Sequence, residues 1–135
     1  MRNLSVHFTH DELADPVTEV VRLASGFLGK LEELRCEYGH AMSVTDGCRS
    51  RGYNDWLVRR GFKASPNSLH LISNPKYATG GCCAVDIARP GGVYLAKLVR
   101  LALSSSWALG IGPTFVHLDR RVDHTDLPAV LFTYQ

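Results

Sequence analysis

The chain has 135 residues, 45% of them apolar and 21% charged, with a net charge of +2. That is the size and make-up of one globular domain with a buried core, and the charge is too slight to suggest nucleic acid, which needs a basic face. No apolar run approaches the ~20 residues that cross a bilayer, and the opening thirteen residues hold no apolar signal core, so the expectation is a protein made in the cytoplasm without a signal peptide and without membrane insertion.

In chain order, Thr9-His10-Asp11-Glu12 has the form of a capping box. His7 and His10 flank it as surface or capping residues. Asp15-Pro16 reads as a second helix start. Val17, Val20, Val21, Ala24, Phe27, Leu28, Leu31 and Leu34 then recur at steps of three and four, which predicts one long amphipathic helix stopped at Gly39. Ala41 to Thr45 alternates as a strand and runs into the turn-like Asp46 to Ser50, so Arg49 leaves a strand end. Gly52 to Val58 reads as a short helix with Trp56 in the core. Arg59, Arg60 and Lys63 form a basic cluster, either a solvated face or a contact for an acidic polymer. Lys63 to Gly81 is loop-rich and contains Ser68 and His70.

Ala84 to Ala88 is a short apolar run broken by Asp86. Val93 to Leu103 is a clear helix ended by Ser104-Ser105-Ser106. Leu109-Gly110-Ile111-Gly112-Pro113 is a tight, glycine-rich approach to a strand from Thr114 to Leu118, and Ala129 to Tyr134 is a final strand. There is no internal repeat and no linker. The expectation is a single α+β domain over residues 1–135: a small, mainly antiparallel sheet with packed helices. The four cysteines, Cys36, Cys48, Cys82 and Cys83, lack C-x-x-C spacing and read as reduced, mostly buried thiols.

Three residues draw attention together. His70, Asp86 and His117 are of the types that bind zinc in a catalytic site, where three protein ligands leave one position open. A carboxylate in a buried strand is costly unless paired or metal-bound. Taken singly, a buried histidine is more often a satisfied core residue and an aspartate more often a cap or ion-pair partner. His117 and Asp119 lie two apart, so a strand points both to one face.

The motifs resemble those of the zinc D-Ala-D-Ala carboxypeptidase family, which includes phage L-alanyl-D-glutamate endopeptidases and related endolysins. Ser68-Leu69-His70 and Ala84-Val85-Asp86 match the two ends of its S-x-H-x-x-G-x-A-x-D motif. Thr45 to Ser50 matches its arginine segment, and Asn54 an asparagine that often follows. Gly110-Ile111-Gly112 leading to Phe115-Val116-His117-Leu118-Asp119-Arg120 resembles the closing motif of its short phage-type members, and Leu4 to Leu13 their opening. Two departures stand out. His70 and Asp86 are sixteen apart where the motif has seven, the excess lying in Leu71 to Gly81, and Cys82 occupies the motif glycine, where its thiol could compete as a ligand. Thr114 stands where many relatives carry an acidic general base.

The resemblance implies Zn²⁺ held by His70, Asp86 and His117, with the zinc site on the sheet and adjoining loops. It implies Arg49 on the oxyanion or a substrate carboxylate, with Ser68 beside it in substrate binding. Asp119 is the nearest substitute for the base, or else a salt-bridge partner of Arg120, Arg121 or Arg49, or a support for the ligand His117. The implied partner is a peptidoglycan stem peptide, cut by a monomer acting at the bacterial cell wall. The alternatives are a non-catalytic cell-wall peptide-binding or phage structural module, and a zinc peptidase for a free dipeptide.

Overall fold

The computed structural model describes residues 2–134; the two end residues of the expected 1–135 domain lie outside the described residues. The elements in order are α1 (His10–Leu13), α2 (Phe27–Tyr38), β1 (Val44–Asp46), α3 (Arg51–Arg59), β2 (Ala84–Ala88), α4 (Gly92–Ser104), β3 (Ala108–Ile111), β4 (Phe115–Asp119), α5 (Arg121–His124) and β5 (Leu131–Thr133). The strands make one five-stranded sheet in the order β1-β2-β4-β3-β5. Each neighbouring pair is antiparallel except β3–β5, which is parallel. The fold is α+β, with a mostly antiparallel sheet. No helix among the described residues is long and apolar enough to cross a membrane.

Alternation along the strands divides the sheet into two faces. Val85 and Ile87 of β2, Leu109 of β3, and Val116 and Leu118 of β4 are all buried, and they join Phe27, Leu31 and Leu34 of α2 and Leu98 and Ala102 of α4 in one core. Burial of each large side chain contributes about 1.5–3 kcal/mol against the entropy of ordering it. The other face carries Asp86, His117 and Asp119. The register sets Asp86 directly opposite His117 on β4, and Gly110 of β3 opposite the same histidine from the other side. A one-residue slip would turn both polar side chains into the core, so the apolar face fixes their pairing.

Several boundaries follow the local chemistry. Thr9 and Glu12 form both halves of the capping box at α1. Gly39 ends α2 in the left-handed conformation at φ 76°. The long helix expected from Asp15 onward does not form before Phe27. Asp15 Oδ2 instead accepts from Val17 N, Thr18 N and Thr18 Oγ1, and Glu19 adopts φ 63°, which closes a turn. The next residues pair with another segment: Ala24 N donates to Cys82 O and Cys82 N to Arg22 O, both at 2.8 Å. Apolar spacing alone could not reveal this competition. Val17, expected on the buried helix face, is 69% exposed.

Three smaller differences affect the sheet and the surroundings of its polar face. The glycine-rich approach is itself a strand, β3, and the final strand β5 pairs with it in parallel. The strand expected from Ala41 to Thr45 is shortened to β1. Trp56 is 40% exposed rather than core. All four cysteines are free thiols, with Cys36 exposed and the others buried.

Candidate metal centre

Two distant loops are brought to the polar face of the sheet by one short parallel bridge, Arg49 with Leu71. It is closed by Arg49 N donating to His70 O at 2.8 Å and Ile72 N donating to Arg49 O at 3.0 Å. The bridge sets the loop residue His70 against the strand end from which Arg49 leaves. The sheet register supplies Asp86 and His117. The three side chains expected to ligate therefore converge, all buried.

Their facing atoms are His70 Nε2, Asp86 Oδ1 and His117 Nδ1. The separations are 3.2 Å from His70 to Asp86, 2.9 Å from His117 to Asp86 and 3.3 Å between the two histidines. A tetrahedral ion with bonds of about 2.0–2.1 Å holds its ligand atoms ~3.3 Å apart. The three atoms thus outline one face of such a tetrahedron, with the fourth position left for water or substrate.

Proton bookkeeping supports a cation there. His70 Nδ1 lies 2.7 Å from Gly47 O, and a carbonyl only accepts, so that nitrogen carries the ring proton. His117 Nε2 lies 2.7 Å from Asp119 Oδ2, a carboxylate already bound by Arg121 through Nε at 3.0 Å and Nη2 at 2.7 Å. With both rings neutral, His70 Nε2 and His117 Nδ1 would point lone pairs at each other and at the Asp86 oxygen, an arrangement that needs a positive centre. A proton on His117 Nδ1 supplies it in the metal-free protein, and a metal ion would take that proton's place. This buried group can hold a metal ion.

The charges around it are tuned accordingly. Burial opposes ionisation of Asp86, but His70 and His117 hold its carboxyl far below the ordinary range. Burial likewise works against the charged ring of His117, yet its bonds to Asp119 and Asp86 prevail and raise it to about 9 in the metal-free protein. Asp119 is driven up by burial and down by His117 and Arg121, and settles at about 2. It is fully buried, and both oxygens are occupied. Of the three arginines named as partners for Asp119, the structure selects Arg121. Arg120 binds Asp123 instead, and Arg49 binds Asp46.

Arg49 is held as tightly as the ligands. Its Nε donates to Asp46 Oδ2 at 2.6 Å, and its Nη1 to Asn54 Oδ1 at 3.1 Å and Ser68 Oγ at 3.3 Å. One guanidinium nitrogen comes within 3.9 Å of Asp86 Oδ2, beside the centre. Ser68 also accepts from His70 N at 3.2 Å, which ties the arginine to the ligand loop. These residues open into a cleft of about 630 Å³, with Phe62, Lys76, Arg121 and Tyr134 among its walls.

The long loop between His70 and Asp86 is ordered by Asn74. Its Nδ2 donates to Asn67 O and Ser68 O, while its Oδ1 accepts from Lys76 N and Tyr77 N. Cys82, at the motif glycine, turns its thiol to Ala84 O at 3.1 Å and does not join the ligand group. Thr114 is exposed, just before the start of β4. Phe132 and Tyr134 escaped notice in the sequence. Their signal is their spacing: two apart, one on β5 beside Gly110 and the other just past its end, they share the face of His117. A Cβ on Gly110 would come 2.5 Å from the Phe132 ring and 2.7 Å from Tyr134, so glycine is what lets both rings cross to the cleft.

A second cluster, His7, Glu32 and Cys36, also has ligand-type atoms in reach of one another. It is more exposed, and its His7 Nδ1 and Glu32 Oε2 already meet each other at 2.6 Å. Comparison of the chain with protein-family models, curated proteins and solved structures finds no match.

Proposed function

We propose that the protein is a zinc-dependent peptidase hydrolysing peptide bonds in peptidoglycan stem peptides, as a carboxypeptidase or endopeptidase. The observation that carries this reading is the convergence of three ligand-type atoms at tetrahedral spacing, beside a fixed arginine and open to a cleft. Two imidazoles and one carboxylate with a free fourth position suit catalytic zinc. The choice of peptidoglycan rests on the likeness of the His70, Asp86, Arg49 and His117 motifs to the zinc D-Ala-D-Ala carboxypeptidase and L-alanyl-D-glutamate endopeptidase family.

Zinc bound there supplies a Lewis acid for the scissile carbonyl and lowers the pKa of water from about 16 toward 7. The chain does the rest by placement. Gly47 O and Asp119 fix the two imidazole tautomers so that the correct nitrogen faces inward. Arg49, whose Nε, Nη1 and one side of Nη2 are held by Asp46, Asn54 and Ser68, offers its charge and the remaining Nη2 hydrogen to a substrate carboxylate or to the developing oxyanion. Asp119 acts through His117 rather than on substrate. Burial and then the Asp86 charge push Tyr134 in the cleft wall up to about 12, which keeps its hydroxyl a donor to the reacting group.

One observation favours a second reading, a non-catalytic module that binds cell-wall peptide. Asp86 and Asp119 are the two carboxylates lining the cleft, and both are engaged. Mass spectrometry of murein digested by the purified, zinc-loaded protein separates the readings. Loss of terminal D-Ala marks a carboxypeptidase and a cut within the stem an endopeptidase. Intact stems, with zinc bound one to one, overturn the hydrolase in favour of the binder.

A further inference from the structure

Beside the cleft runs a row of three aromatic rings that the peptidase chemistry does not use. Tyr53 and Trp56 are three apart on α3 and so share a helix face. Their rings lie 15° from parallel with centroids 6.2 Å apart. Gly61 takes φ 80° and turns the chain back after the helix, where Phe62 N donates to Leu57 O. That turn brings Phe62 to the same side, 6.0 Å from Trp56 and 26° from parallel. Near-parallel rings at such separations are offset rather than eclipsed, so they form a stepped ledge. Trp56 is 40% and Phe62 58% exposed.

From these features we propose that the ledge of Tyr53, Trp56 and Phe62 is a sugar-binding subsite, which seats the glycan backbone of the polymer whose peptide enters the metal cleft. The inference rests on the peptidoglycan reading for its choice of sugar. Three observations support it. The ledge is continuous with the cleft, because Phe62 and Lys63 belong to the cleft wall. Its shape is a row of flat faces rather than a patch of branched aliphatics. The C–H face of a pyranose, with its weakly positive hydrogens, stacks on the electron-rich face of an aromatic ring. Finally, the Arg60 guanidinium lies over the indole, 5.1 Å from its centre; as an exposed side chain it can swing aside for a sugar and bring its donors to the hydroxyl and acetamido oxygens that rim it. Asp55, the acidic residue of this helix, is paired with Arg51 at 3.9 Å and leaves the ledge positive.

The arrangement has a functional consequence. Sugar and stem peptide are joined covalently, so a sugar seated on the ledge holds its peptide at high effective concentration over the zinc. The basic cluster Arg59, Arg60 and Lys63 is then part of the approach to a polymer.

The test uses β-1,4-linked N-acetylhexosamine strands freed of stem peptides. Titrated into the full chain, they change the tryptophan emission, and the signal belongs to Trp56 because Trp107 is 1% exposed. Co-sedimentation or calorimetry then compares variants: Trp56→Ala and Phe62→Ala each weaken binding about tenfold, and Trp56→Phe restores most of it. Zinc-stripped protein binds the strands as well as the loaded form. Absence of binding to peptide-free strands overturns the proposal. So does equal binding by Trp56→Ala, a requirement for zinc, or a Trp56-dependent dimer in sedimentation. If stems are not cleaved but the strands still bind, the hydrolase reading fails alone; if stems are cleaved and the strands do not bind, the ledge fails alone.

Discussion

Asp119 has no access to substrate, yet it governs how the centre binds metal. Its oxygens hold the Nε2 proton of His117 and the fork of Arg121 at once. Asp119→Asn keeps an acceptor for the ring but loses the charge, so zinc affinity measured against a competing chelator falls about 10–100-fold, and activity is recovered at saturating zinc. Activity lost while zinc affinity stays at the wild-type value would instead make Asp119 the proton carrier. Arg49 behaves in the opposite way. Lysine cannot reproduce a fork bonded to Asp46, Asn54 and Ser68. Arg49→Lys therefore lowers kcat/KM on a stem-peptide substrate by about 10²–10³ while zinc content stays at one per chain. Loss of the metal in that variant would mean that Arg49 serves the ligand Asp86 rather than the substrate.

Among the elements, the ones legible in the sequence are those whose signals are local. Helix α4, strands β2 and β4 and the stop at Gly39 follow from spacing and from one residue's conformation; Asp86 and His117 lie in those strands, while His70 lies in a loop and joined them through residue type and the motif resemblance. Segment 15–26 was illegible because its partners are remote: Asp15 reaches Ser50 N at 2.7 Å, and Ala24 reaches Cys82. Trp56 was misplaced because helical spacing gives the face a residue shares, not what covers that face. Two glycines show the same contrast. A Cβ on Gly81 meets the backbone of Leu23 at 2.6 Å, whereas one on Gly110 meets the flexible rings of Phe132 and Tyr134. Rings can swing aside and backbone cannot. In urea titrations, Gly81→Ala costs about 3 kcal/mol, the upper part of the overpacking range, and Gly110→Ala about 1 kcal/mol. Gly110→Ala keeps its zinc but displaces the cleft wall, so its defect appears in KM. A larger loss for Gly110→Ala would show the aromatic pair to be more rigid than the 22–24 backbone.

At the scale of the whole molecule, the metal centre couples stability to zinc and to pH. The centre joins the loop of His70 to two strands of the sheet, and the unfolded chain has no such site. At free zinc about 1,000 times the dissociation constant, binding stabilises the fold by about 4 kcal/mol, which raises Tm by on the order of 10 °C. Replacing His70 with alanine abolishes the rise. The pH dependence has a definite sign. His117 is raised from 6.5 to about 9 in the metal-free protein. The proton it holds therefore stabilises the metal-free fold fully below 6.5, and that contribution is lost as pH climbs through about 9. Zinc takes the place of that proton, so apparent zinc affinity rises by up to about tenfold per pH unit on the approach to 9 and then levels. The carboxylates run the other way: Asp119, held at about 2, contributes above its ordinary value of 3.8 and loses its contribution only as pH falls through about 2. Thermal scans of metal-free and zinc-loaded protein from pH 6 to 9.5 should thus diverge, the metal-free Tm falling with pH while the zinc-loaded Tm holds. Parallel curves would mean that zinc does not displace the His117 proton, and the peptidase reading would lose its foundation.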